Sequence, residues 1–193
     1  MALGRSRSSS SSEAGFSLLE VLVATMLLAT SLVTLAQLFG ISTHSNISAR
    51  NSTYTAILAQ QKLEELRALT WGYDTLGLPV SDISTNTAVS PETPAGGTGL
   101  APSPPGTLRT NTGGYVDYID QFGNKLGGGP NAPANTVYVR RWSVEPLPSN
   151  PNNTIILQVL AFRNRDRGSA DDGAGRMLPD EARLVTVKTR KAQ

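Results

Sequence analysis

The sequence predicts an α+β fold: a long N-terminal α-helix, membrane-spanning in its first half, packed through its second half on a small antiparallel β-sheet. Three observations carry this expectation. From Phe16 to about Leu69 the chain has no proline and a single glycine, Gly40, which leaves a helix uninterrupted. Between Glu20 and Arg50 there is no Asp, Glu, Lys or Arg. The last third of the chain holds three β-patterned runs, "NTVYVRRWSVEP", "NTIILQVLAFRNR" and "ARLVTVKTR", two of them alternating and the middle one apolar on both faces.

Size and composition restrict the function classes. At 193 residues and a formal net charge of +2, the chain suits one domain with an attached segment. It has no cysteine and one histidine, His44. A disulfide framework, a thiolate metal site, a cysteine nucleophile and a Ser-His-Asp triad in the C-terminal part are therefore excluded. Residues 136–193 carry 10 Lys/Arg against 6 Asp/Glu, a bias too mild for a nucleic-acid-binding surface. With no nucleophile–base pair, paired carboxylates or phosphate loop, no catalytic residue, cofactor or metal is expected, and the chain is not read as an enzyme.

Phe16–Ile41 is uncharged except at Glu20 and exceeds the roughly 20 helical residues that cross a bilayer. It is also longer than the apolar core of about 7–15 residues in a cleaved secretory signal. Arg5 and Arg7 precede it, so a single pass with a short cytoplasmic N-terminus and a periplasmic C-terminal domain is expected. A carboxylate at the mouth of such a run costs free energy unless a cation meets it. Glu20 needs an explanation.

"GFSLLEVLVA" (Gly15–Ala24) resembles the N-terminal signal of the type IV pilin superfamily. The resemblance implies that Met1–Gly15 is a leader, that prepilin peptidase cuts between Gly15 and Phe16, and that the new Phe16 amino group is methylated. A glycine at the cut lets the chain lie extended in a protease cleft. The hydrophobic helix then stays in the mature protein, and Glu20 pairs with the N-terminal ammonium of a neighbouring subunit as an assembly charge pair. Gln37 stands where major pilins often carry proline, which points to a minor pilin or a pseudopilin. The resemblance implies as partners the peptidase, other major and minor pilins, and an inner-membrane pilus or secretion assembly platform. The final location would be the inner membrane and then the filament. A minor pseudopilin of a type II secretion system is the same-class alternative. An uncleaved signal-anchored periplasmic protein is the alternative of a different class.

The organisation expected is a leader (1–15), a transmembrane or filament-core helix (16–41), its soluble continuation (42–71), a Pro/Gly-rich loop region (72–135) and the sheet (136–193). In the continuation, Tyr54, Ile57, Leu58, Leu66 and Leu69 form a partial apolar stripe interrupted by Lys62 and Glu65, and "QQKLEELR" reads as a solvated face. Glu64 and Arg67 are spaced for an i,i+3 pair. The segment Leu76–Asn135 holds 8 of the 12 prolines and is expected to be a long, partly mobile loop with one short strand at Tyr115–Phe122. The sheet "VRRWSV", an apolar strand and a closing "RLVTV" look like those of pilus-modification (V-type) minor pilins. Trp142 is read as core, and Arg140, Arg141, Arg163, Arg165 and Arg167 as solubilising charges. Asp166, Asp171, Asp172, Asp180 and Glu181 lack calcium-loop spacing and read as a solvated turn.

Overall fold

The computed structural model describes residues 15–164 and 180–191. The acidic and basic positions read between 165 and 179 lie outside the described residues, as does the leader before Gly15. Seven elements follow in order: α1 (Leu18–Ala68), β1 (Trp71–Tyr73), β2 (Pro79–Ser81), β3 (Val116–Ile119), β4 (Tyr138–Pro146), β5 (Thr154–Arg163) and β6 (Ala182–Thr189). The α+β expectation holds. Contacts divide the chain into two units, with the boundary between Ser45 and Asn46 inside α1.

In the first unit the helix is a bare apolar rod. Leu19, Leu22, Met26, Val33 and Phe39 are all exposed. Its hydroxyls are turned inward: Thr25, Thr30, Ser31 and Thr34 each donate to a carbonyl three or four residues back. That is how Ser and Thr are accommodated where water is absent.

In the second unit the helix packs on a four-stranded antiparallel sheet of order β3-β4-β5-β6. Strand alternation decides which side chains meet it. Tyr138, Trp142 and Val144 of β4 and Ile155, Leu157, Val159 and Ala161 of β5 join Leu58, Ala59, Leu63 and Leu66 of α1 in one core. Each leucine so buried contributes about 1.5–3 kcal/mol. The apolar β5 is central, as its two-faced hydrophobicity predicts.

The other face has a second, smaller core of Val116, Tyr118, Val139, Leu160 and Phe162, covered by Leu108 and Leu126. Those two leucines belong to the Pro/Gly-rich region, and Ala88, Leu100 and Tyr115 of the same region enter the main core as well, so the expected loop packs on both faces of the sheet. Single apolar residues among turns suffice to cover a sheet face when backbone groups are paired locally. β1 and β2, unforeseen in the sequence, form a separate two-stranded ribbon. Its turn is built by Asp74, whose Oδ1 accepts from the Leu76 and Leu78 amides, and by Gly77 at φ 77°, a conformation glycine adopts freely.

Candidate functional site

The predicted processing site sits at the head of α1. Gly15, Phe16 and Ser17 precede the helix in irregular conformation, and a side chain placed on Gly15 would meet nothing within 4 Å. Phe16 is 83% exposed. Ser17 is the N-cap, its carbonyl accepting from the Val21 amide at 3.2 Å, and Glu20 lies in the first turn. Ser17-x-x-Glu20 has the spacing of a capping box, which would satisfy orphan amides within one chain. Neither reciprocal side-chain bond of that box is present among the described residues, and no cation of the described chain reaches Glu20. The carboxylate gains from the positive end of the helix dipole, and no described residue donates to its oxygens.

A second constellation was missed in the sequence. Lys62, read as part of a solvated face, is fully buried. Its Nζ lies 2.9 Å from Asp117 Oδ2 and 3.2 Å from Glu65 Oε2, and donates to the Thr87 carbonyl at 2.7 Å. It also sits 3.9 Å from the centroid of the Trp142 ring. Arg140, read as a solubilising charge, is buried too. Its Nε and Nη2 bind the two Asp117 oxygens at 2.8 and 2.7 Å, and Nη1 donates to the Leu58 carbonyl. Lys125 closes the cluster on Glu65 at 3.0 Å. Burial pushes the Lys62 amine below its ordinary value, against the pull of Asp117. Burial alone would raise Asp117, but Lys62 and Arg140 together hold it below the usual carboxylate range.

This cluster ties α1, β3, β4 and the 72–135 region at one point. The five charged groups, Lys62, Glu65, Asp117, Lys125 and Arg140, satisfy one another, and a surface groove beside Ile57 and Gln61 reaches the cluster only at Glu65, so its chemistry is positional. The sequence signal was the lysine itself, intruding on an apolar stripe. Its partner lies on β3, where "VDYI" places one acid among apolar residues.

Arg141 is buried on the opposite face, donating to the Leu108 and Arg109 carbonyls and to Asn111, so it fastens the covering loop. Arg163 is half-buried. Trp142 is core, as expected. Asp180 accepts from Ser48 of α1 at 3.1 Å. A groove of about 480 Å³ lies at the β1–β2 ribbon beside Trp71, Tyr73, Asn152 and Arg190. Arg190 crosses it, 3.7 Å over the Trp71 ring, and spends its donors on Asn152, Gly72, Val80 and Ser81 of its own chain. Among the described residues no three His, Cys, Asp or Glu side chains converge as a metal site would require. Compared with family models, curated proteins and solved structures, the chain matches none.

Proposed function

We propose that this chain is a minor type IV pilin-like subunit, processed by prepilin peptidase and assembled into or at the tip of a pilus filament. The observation that supports it is the position of "GFSLLE". The motif ends an exposed, non-helical approach and begins an apolar helix that nothing in the described chain buries. The helix could span a membrane, and its continuation packs on an antiparallel sheet, the arrangement the resemblance implies. An acid at the helix head to which no described residue donates is what an inter-subunit ammonium requires.

The test is the intact mass of the protein from its native membrane. The expected species runs from N-methylated Phe16 to Gln193. A Gly15→Leu variant should stay uncut, because the cleft must accept a residue without a side chain. A chain that retains Met1–Gly15 in cells with active peptidase refutes the proposal and favours the uncleaved anchor.

A further inference from the structure

The two edges of the four-stranded sheet are treated differently. At β3 the chain returns on itself: the Tyr118 amide donates to the Gly127 carbonyl at 3.0 Å and the Leu126 amide to Tyr118 at 2.8 Å. At β6 no described residue does the same between Arg183 and Thr189. β1 closes only its far end, through a bridge between Gly72 and Lys191.

The direction of each β6 amide follows from the register. The Arg190 amide donates to the Asn153 carbonyl at 2.8 Å, and Thr154 faces Thr189. Even-numbered residues of β6 therefore bond inward to β5, and Arg183, Val185, Val187 and Thr189 point their amides and carbonyls away from the sheet. The same four carry the outward side chains, and Val185 and Val187 are 57% and 56% exposed. A long apolar edge of this kind templates another strand unless it is blocked, and here the described chain blocks it only at Lys191.

We infer that the edge of β6, uncovered by the described residues from Arg183 to Thr189, is a strand-addition site for an extended acidic segment of another polypeptide. From Ala182 to Lys191 the chain carries Arg183, Lys188, Arg190 and Lys191 and no acid. Glu181 precedes this strand and Glu145 accepts from Gln158. The strand's own cations bind neutral groups, Arg183 the Gln158 amide and Lys188 and Arg190 backbone carbonyls, so the strand keeps its positive sign. Backbone pairing would supply affinity, valines on alternate positions the packing, and the basic strand the sign of the partner's charge.

A second copy of this chain is the obvious competitor, and charge disfavours it: its β6 would bring the same Arg183, Lys188, Arg190 and Lys191, with no acid between Ala182 and Lys191, against an identical basic strand.

The experiment is residue-resolved hydrogen exchange on the full chain in detergent, with a synthetic probe long enough to face Arg183–Thr189. The probe alternates valine and glutamate, and its control alternates valine and lysine. At about 1 mM probe, the outward amides of Arg183, Val185 and Thr189 should exchange about tenfold more slowly with the acidic peptide alone. Those of Leu184 and Thr186, already bonded to β5, should not change. Val187→Pro removes one outward amide without costing a β5 bond, and should abolish the effect while Leu184 and Thr186 stay protected. Equal exchange with and without the acidic probe overturns the inference. So does equal protection by the lysine control. Protection without any probe that grows with protein concentration would hand the edge to a second copy.

Discussion

Glu20 and Lys62 are the same problem at two depths: a charge in apolar surroundings that survives only with a partner. Lys62 finds its partner in the chain. Replacing Asp117 by Asn leaves Lys62 and Arg140 facing each other without their shared anion, and should cost about 3–5 kcal/mol. The urea midpoint of the full chain in detergent should fall accordingly at an unchanged slope. A loss below 1 kcal/mol would mean that water, not Asp117, stabilises these cations. Glu20 has no such partner among the described residues. Glu20→Val should leave membrane insertion intact, because it removes a charge from the apolar stretch. It should leave cleavage after Gly15 largely intact too, and lower the amount of subunit in sheared filaments. Wild-type recovery in filaments would show that the charge pair is not the purpose of this residue. The sequence made Glu20 visible because nothing nearby could neutralise it. Lys62 was misread because its counter-ion lies on a separate strand, and helical spacing alone does not report a distant partner.

Among the elements, α1 was legible from end to end because absence of proline is a local property. β4 and β6 were legible because alternation survives in a single sequence, and β5 because it is apolar on both faces. β1 and β2, three residues each, are too short for any period to show. The covering of the outer face was hidden for a related reason: Leu108 and Leu126 stand singly among turn residues. The end of α1 shows how an element depends on another strand. Lys188 of β6 donates to the carbonyls of Leu66, Arg67 and Leu69, the orphan acceptors of the last turn. A cation also complements the negative end of the helix dipole. Burial, with Lys191 and Arg67 nearby, brings its pKa down to about 8. Lys188→Met keeps the stem that packs on the sheet and removes the donors, so it should destabilise by about 1 kcal/mol. Exchange should quicken first at the amides of the last turn. If the loss were spread evenly over the sheet, Lys188 would be acting through packing and not as a cap.

At the scale of the whole second unit, stability against acid gathers at Asp117. Among the described residues it is the one buried acid, joining α1 through Lys62, β4 through Arg140 and, through Lys62, the Thr87 carbonyl of the covering region. Because the folded carboxyl is held below its ordinary range, the unfolded chain takes up a proton where the folded chain does not. Its contribution is therefore complete above about pH 4 and drains away as the pH falls through the depressed folded value. Other carboxylates titrate over the same range, so the informative quantity is the difference between wild type and Asp117→Asn. Near-ultraviolet circular dichroism is a suitable reporter, because Trp142 lies directly beneath Lys62. Followed through urea titrations from pH 7 to pH 2, the stability gap between the two proteins should be widest near neutrality. It should close toward pH 2, as wild-type Asp117 becomes protonated and loses what the amide never had. A gap that stays constant with pH would show that Asp117 titrates alike in the folded and unfolded chain, and a gap that moves the opposite way would show that it is neutral when folded; in either case the cluster would be a hydrogen-bonded junction and not an ionic one.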